Sequence, residues 1–96
     1  MAESYVEKEF VRIFERAGWL VRKLKWIGRH GAPDRFVAKR GRVALVELKK
    51  RGGDLQPSQV REFPRLRNAG VDVFVVSTIA EATALLARLE AELGDG

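Results

Sequence analysis

Three residues in the middle of the chain have the types and spacing that metal-assisted hydrolysis of a phosphodiester bond requires. Asp34 follows Pro33, and Glu47 and Lys49 are separated only by Leu48. Two carboxylates offer the hard oxygen ligands that Mg²⁺ or Mn²⁺ prefers, and a lysine can contact the attacking water or the phosphate. These residues are therefore the first candidates for a catalytic site.

A predicted hairpin brings the three candidates together. The segments Asp34–Lys39 and Arg42–Lys49 have the composition of strands, and a turn at residues 40–41 joins them. Folding at this turn places Asp34 near Glu47.

The second strand determines which side chains face the same way. Glu47 and Lys49 are two residues apart, so both leave one face of the sheet, while Leu48 faces the other side. The backbone carbonyl of Leu48 could join Asp34 and Glu47 as a third oxygen ligand. The alternative explanation for Asp34, Glu47 and Lys49 is a cross-strand ion pair at a sheet edge. The apolar run Val43–Val46 favours the catalytic interpretation, because a solvated edge rarely has that composition.

Hydrophobic periodicity predicts further elements around the hairpin. They are a helix over Ser4–Ala17, a strand over Trp19–Trp26, a helix over Ser58–Ala69 that begins after Pro57, a strand over Val71–Val76 and a last helix over Ala80–Leu93. The order is α-β-β-β-α-β-α, and the second helix can cross over between two parallel strands. The sequence therefore predicts an α/β fold with a mixed sheet flanked by helices. We expect residues 94–96 to be frayed.

Composition limits the classes of protein to consider. The chain has 96 residues, of which 46% are hydrophobic, and this size fits a single domain over residues 1–96. The absence of cysteine excludes disulfides, thiolate metal sites and cysteine nucleophiles. No segment is typical of a signal peptide or a membrane span, so we expect a cytoplasmic protein without membrane contact. A chain this short buries only about two-thirds of its unfolded surface, which favours a homodimer.

Positive charge is concentrated in the first two-thirds of the chain. Residues 1–67 hold 17 of the 18 Lys and Arg against eight acidic residues, a net charge of +9, while the whole chain carries +5. Such a distribution suits a polyanion whose counterions are released on binding. Nucleic acid is therefore favoured as the partner over a merely solubilising role for the charge.

Together these motifs resemble the VRR-NUC family of the PD-(D/E)xK nuclease superfamily. The resemblance rests on Gly31–Asp34, on Val46–Lys49 and on Gln59 at the start of a helix. It extends over roughly residues 4–78, from a helix with an early glutamate to a closing strand, and the core motif shows no departure from the family pattern.

The resemblance implies a restriction-endonuclease-like core and Mg²⁺ or Mn²⁺ as the cofactor. It implies metal ligation by Asp34 and Glu47, a catalytic role for Lys49, and supporting positions for Glu7 and Gln59. The first turn of a helix beside the active strand could aim the Glu7 carboxylate at a metal-bound water. The implied activity is endonucleolytic or exonucleolytic cleavage of branched or otherwise structured DNA. Short stand-alone members from phages and bacteria resemble Holliday junction resolvases and are expected to act as symmetric homodimers in the bacterial or phage-infected host cytoplasm.

Simpler explanations exist for the supporting residues and for the activity. Ser4 and Glu7 have the spacing of a helix capping box, which accounts for both without catalysis. Gln59 could equally be a capping or solvent-facing residue. A monomeric nickase or exonuclease with the same active site, or a non-catalytic nucleic-acid-binding module, is an alternative to a dimeric endonuclease.

Basic residues around the core motif are candidates for contacts with the phosphates that flank the cut. They are Arg29, His30, Arg35, Lys50, Arg51, Arg61 and Arg65. Arg61 and Arg65 are four residues apart in a predicted helix, so they share one face and could follow a DNA backbone. Glu62 is expected to pair only with neighbours on its own side of that helix. An ordinary solvated loop is the alternative explanation for the basic residues outside the helix.

Overall fold

A computed structural model describes residues 4–93 of the chain. The elements, in order, are helix α1 (Tyr5–Arg16), strands β1 (Leu20–Lys23), β2 (Arg35–Lys39) and β3 (Arg42–Leu48), helix α2 (Pro57–Asn68), strand β4 (Val73–Val76) and helix α3 (Ile79–Leu93). This order confirms the predicted α-β-β-β-α-β-α arrangement. The expected fraying at residues 94–96 falls outside the described residues.

The four strands form one mixed sheet in the order β1-β2-β3-β4. Strands β1, β2 and β3 are antiparallel neighbours, whereas β3 and β4 run parallel, with α2 as the crossover between them. The two-residue turn between β2 and β3 has positive φ at both positions, 46° at Arg40 and 85° at Gly41, as tight hairpin turns require. This turn sets the register that runs from Lys39 opposite Arg42 to Arg35 opposite Val46.

Strand β1 is shorter than the predicted strand Trp19–Trp26. Its ladder with β2 runs from Leu20 to Lys23, because β2 begins at Arg35, and the Leu24 backbone N–H adds one hydrogen bond to the Asp34 carbonyl at 2.9 Å. Pro33 precedes that beginning, and a residue without an N–H cannot extend the ladder. The chain then leaves the sheet and continues as an irregular segment to Pro33.

The two faces of the sheet carry separate hydrophobic clusters. Helices α1 and α3 cover one face, where the fully buried residues include Phe10, Phe14, Val37, Val46 and Leu89. Helix α2 covers part of the other face, where Phe63 packs with Leu45 and Val73. Since side chains alternate along a strand, Glu47 leaves β3 on the same face as Leu45 and points toward α2.

Within residues 4–93, every helix is too short or too polar to cross a lipid bilayer.

Candidate active site

The site lies where β3 ends and β2 begins. The register places Arg35 opposite Val46, so one further step along the hairpin brings Asp34 beside Glu47. The Asp34 carboxylate accepts a hydrogen bond from the Leu48 backbone N–H, with 2.9 Å between Oδ2 and N. The structure therefore brings together the two carboxylates that the sequence predicts as metal ligands.

Pro33 explains why the Leu48 carbonyl is available at this position. Leu45 and Lys49 donate their backbone N–H groups to the β4 side of the sheet, so the backbone of Leu48 faces β2. Continuing the register places Pro33 opposite Leu48, and proline has no N–H to donate to that carbonyl. The Leu48 N–H bonds to the Asp34 side chain instead. The Leu48 backbone oxygen therefore lies at the end of the ladder together with the carboxylates of Asp34 and Glu47.

Glu47 is a buried carboxylate with an unpartnered oxygen. Its exposure is 3%, Oε2 lies 3.4 Å from the Lys49 Nζ, and Oε1 has no hydrogen-bond partner among the described residues. Burial raises the pKa of the Glu47 carboxyl, and the nearby Asp34 charge adds to this effect, while Gln59 and Lys49 oppose it. A buried charged oxygen without a partner is costly. Such an atom fits a site that a divalent cation would complete.

Gln59 connects three parts of the site. Its side chain is buried, and its Oε1 accepts the Gln56 backbone N–H at 3.0 Å, which caps the start of α2. Its Nε2 donates to the Ala32 carbonyl at 3.4 Å, and hydrogen bonding from its amide acts to lower the pKa of Glu47. The capping explanation is therefore correct, and the same side chain also contacts the loop before Asp34 and the Glu47 carboxyl.

Glu7 forms a partly buried ion pair near the carboxylates. Its Oε2 accepts a hydrogen bond from the Arg35 Nε at 2.8 Å, and Ser4 caps α1 by accepting the Glu7 backbone N–H at 3.1 Å. Among residues 4–93, no three Asp, Glu, His or Cys side chains are close enough to share an ion. Glu7 is here the partner of Arg35, and its predicted contact with a metal-bound water stays a prediction.

Arg35 requires a correction to its predicted role as a DNA contact. It is 6% exposed, and its guanidinium pairs with Glu7 on the face opposite Asp34. Adjacent residues of a strand point to opposite faces, so Arg35 is directed toward α1 when Asp34 is directed toward α2. A buried guanidinium in this position cannot reach a phosphate on the surface.

A groove of about 800 Å³ opens over these residues. Its lining includes Glu7, Asp34, Glu47, Leu48 and Lys49, and the predicted DNA contacts Lys50 and Arg51 line it as well. Ser77 and Thr78, which follow β4, also line it. The groove gives a phosphate access to both carboxylates and to the lysine.

Comparisons with known proteins agree with the motif and the fold. No protein-family model matches the chain. A phage protein, "Putative nuclease p44" from Acyrthosiphon pisum secondary endosymbiont phage 1, is 36% identical over 77 residues, which cover 79% of this chain and 83% of that protein. A solved structure described as "VRR_NUC domain" superposes with a TM-score of 0.80 at 40% identity, covering 85% of this chain and 90% of that chain.

The chain belongs to the VRR-NUC family. Its fold is accordingly the restriction-endonuclease-like fold of the PD-(D/E)xK nucleases, as predicted from the α/β pattern and the motif. In this VRR-NUC chain the two motifs that carry the resemblance meet at one groove, which Asp34 lines from the first motif and Glu47, Leu48 and Lys49 line from the second.

The remaining predicted DNA contacts of the VRR-NUC chain form a second cavity. Arg29, His30, Arg61 and Arg65 line it together with Ser58 and Glu62, and its volume is about 390 Å³. Glu62 is 7% exposed and pairs with Arg29 as well as with Arg65 of its own helix. The sequence predicted pairing only with neighbours on one side of the helix, and the structure adds a partner from the loop before Asp34. Arg29 lies far away in the sequence, and no local pattern indicates this contact.

Proposed function

We propose that this VRR-NUC chain is a Mg²⁺- or Mn²⁺-dependent DNA endonuclease that hydrolyses phosphodiester bonds. The observation that carries the proposal is the buried Glu47 carboxylate, 3% exposed, which has an unpartnered oxygen beside Asp34 and Lys49 at the floor of the groove. A structural ion pair would not require an unpartnered buried oxygen, because buried polar groups are normally satisfied.

Three oxygens would hold the ion. They belong to Asp34, to Glu47 and to the Leu48 backbone carbonyl, and together they offer the hard ligands that Mg²⁺ and Mn²⁺ prefer. When bound, the ion would polarise the phosphate and lower the pKa of a water, so that hydroxide is available near neutral pH. Cation binding also requires an ionised Glu47, and burial raises the pKa of this carboxyl, so protons compete with the ion as the pH falls.

The side chains around the carboxylates orient the reacting groups. Lys49 lines the groove, and its Nζ stands 3.4 Å from Glu47 Oε2, so it can hold the attacking water or an oxygen of the scissile phosphate. Gln59 holds the Glu47 carboxyl from the side of α2. Glu7 holds Arg35 beneath the groove at 2.8 Å and so stabilises the start of β2, which directly follows Asp34.

DNA is the substrate that the charge distribution supports. Residues 1–67 carry a net charge of +9, and Lys50 and Arg51 stand beside the groove. The phage relative is named a nuclease. The resemblance to short stand-alone members of the family implies cleavage of branched DNA in the manner of a Holliday junction resolvase.

A homodimer would place two such sites on opposing strands of a junction. The small core of a chain of 96 residues gains from association. Both edge strands present an apolar side chain to solvent, Leu20 on β1 at 45% exposure and Val75 on β4 at 41%. An edge strand or α3 is the proposed dimer surface.

The decisive experiment compares the wild-type protein with Lys49→Ala on labelled four-way junction, flap and linear duplex DNA, in Mg²⁺, Mn²⁺ or EDTA. Lys8→Ala is the matched control, because Lys8 is exposed on α1 and lines neither cavity. We expect metal-dependent cutting by the wild type and the control, and none by Lys49→Ala.

The products separate the remaining alternatives. Paired symmetric incisions in the junction support a dimeric resolvase-like endonuclease, whereas single nicks or trimming from an end indicate a monomeric nickase or exonuclease. If all three proteins bind DNA and none cuts any substrate, the chain is a non-catalytic nucleic-acid-binding module and the proposal fails.

A further inference from the structure

The second cavity is built by a close contact between the loop before Asp34 and helix α2. Gly31 has a φ of 102°, and a Cβ at this position would lie 2.8 Å from the Ser58 carbonyl oxygen and 2.9 Å from the Glu62 Cβ. Only glycine permits this approach. Because the loop packs so tightly on the helix, Arg29 and His30 stand next to the basic face of α2 and enclose a cavity of about 390 Å³.

The one carboxylate that lines the cavity is buried, whereas its arginine side chains are exposed. The Glu62 side chain is 10% exposed, whereas the side chains of Arg29 and Arg65, which it holds at 3.4 Å and 3.9 Å, are 58% and 63% exposed. Arg61 adds a third guanidinium, so the cavity carries a net positive charge even when His30 is neutral. Planar guanidinium groups match the oxygens of a phosphate, which is the ligand that this arrangement favours.

The cavity lies close to the groove, although no residue lines both. His30 is four positions before Asp34, a span of at most about 14 Å in an extended chain. On the α2 side, Ser58 of the cavity is adjacent to Gln59, which contacts the Glu47 carboxyl. Phosphates along one strand of duplex DNA rise about 3.4 Å each, so a strand in the groove has a phosphate within reach about four nucleotides or fewer from the cut.

We propose that Arg29, His30, Arg61 and Arg65 form a second phosphate-binding site, and that the buried Glu62 is a positioning residue that holds two of its arginines in place. The site takes a phosphate of the substrate strand, either an internal diester or a terminal monoester. This inference rests on the proposed function only in taking DNA as the substrate.

Binding in EDTA tests the site independently of cleavage. The probe is a fluorescein-labelled four-way junction, titrated at several salt concentrations with wild-type protein, Arg61→Ala and Arg12→Ala. Arg12 is an exposed arginine of α1 that lines neither cavity, so it is the matched control. We expect Arg61→Ala to reduce the slope of log affinity against log salt by about 0.7–0.9, the value for one phosphate contact. Equal slopes for the two variants would overturn the proposal.

The substitution Glu62→Gln shows whether Glu62 positions the arginines or only neutralises their charge, because the two roles change DNA affinity in opposite directions. Removing a negative charge near a polyanion tightens binding if Glu62 only neutralises its neighbours. If Glu62 positions the arginines, affinity falls despite the added net positive charge, by roughly 3- to 10-fold, within the range of coupling in one charge network. Glu9→Gln is the control, because Glu9 forms an equivalent i,i+3 pair with Arg12 on α1. Tighter binding by Glu62→Gln would refute the positioning role.

A methylphosphonate scan identifies the phosphate. Neutralising one phosphate at a time near the cut should weaken wild-type binding at one position, and Arg61→Ala should remove this sensitivity. Comparing DNA with 5′-phosphate and 5′-hydroxyl ends shows whether the position is a terminus or an internal diester. A scan that is identical in wild type and Arg61→Ala contradicts the second site. If the wild type shows the expected binding results but cuts no DNA in Mg²⁺ or Mn²⁺, the second site stands and the proposed nuclease function is contradicted.

Discussion

Replacing Glu47 by glutamine should stabilise the metal-free protein. Glu47 is 3% exposed and its Oε1 has no partner among the described residues, so its charge opposes folding while no cation is bound. An unsatisfied buried polar group costs about 1–3 kcal/mol, and more when it is charged. The ion pair with Lys49 that this substitution removes is weak, because 3.4 Å is longer than the roughly 2.7–2.9 Å of a strong charge-assisted hydrogen bond. We therefore expect a gain of at least about 1 kcal/mol, or about 4–8 °C in Tm.

The pH dependence of this gain follows from the direction of the pKa shift. Burial raises the pKa of Glu47, so the folded protein holds this proton more tightly than the unfolded chain. Stability of the wild type consequently falls as the pH rises from the usual glutamate range through the raised pKa. The advantage of Glu47→Gln should be present near neutral pH and should disappear at acid pH, where the wild-type carboxyl is protonated.

Thermal unfolding monitored by circular dichroism, in EDTA and in Mn²⁺, measures both effects. A cation at 100 times its Kd should stabilise the wild type by about 2.7 kcal/mol and should not stabilise Glu47→Gln. Glu9→Gln is the control, because its carboxylate pairs with an exposed arginine and lies outside the groove. The reasoning fails if Glu47→Gln is less stable than the wild type in EDTA near neutral pH, or if Mn²⁺ stabilises both proteins equally.

Three further substitutions test other parts of the structure. Glu7→Gln should lower stability by roughly 1–3 kcal/mol, because it removes the charge that Arg35 contacts at 2.8 Å; urea unfolding that shows a gain would contradict this. Pro64→Ala should raise stability by roughly 1–3 kcal/mol, since Pro64 lies inside α2 and removes a helical hydrogen bond; an unchanged urea midpoint would count against it. The Lys39 ammonium lowers the pKa of Glu90, so this carboxylate stabilises the fold above the usual glutamate range and loses its effect as the pH falls. Glu90→Gln should therefore lower Tm near neutral pH, and the difference should vanish as the pH falls through the lowered pKa of Glu90; a pH-independent difference would refute this explanation.

Local signals were sufficient for the hairpin and its carboxylates. Alternation, the turn at residues 40–41 and the apolar run before Glu47 depend only on neighbouring residues, and the structure reproduces the pairing of Asp34 with Glu47 that they predict. Strand boundaries were less well predicted. β1 ends at Lys23 because its partner strand ends, which is a property of the neighbour and not of the residues after Lys23.

The burial of Arg35 could have been partly anticipated. Its position next to Asp34 in a strand means that the two side chains face opposite ways. The sequence does not show that α1 covers the second face at this point, nor that Glu7 is there to pair with the guanidinium. The alternation was available in the sequence, but the burial of Arg35 depends on how the helix packs.

By itself, the sequence determined the order of the elements, the mixed sheet and the candidate chemistry, because hydrophobic periodicity and short motifs act over a few residues. Only the tertiary structure decided that Gln59 contacts the Ala32 carbonyl and the Glu47 carboxyl, and that Glu62 joins Arg29 in a second cavity. These contacts join segments that are distant in the chain. They form because β3, α2 and the loop before Asp34 pack against one another, and the physical reason they could not be predicted is that this packing depends on the whole core rather than on any local pattern.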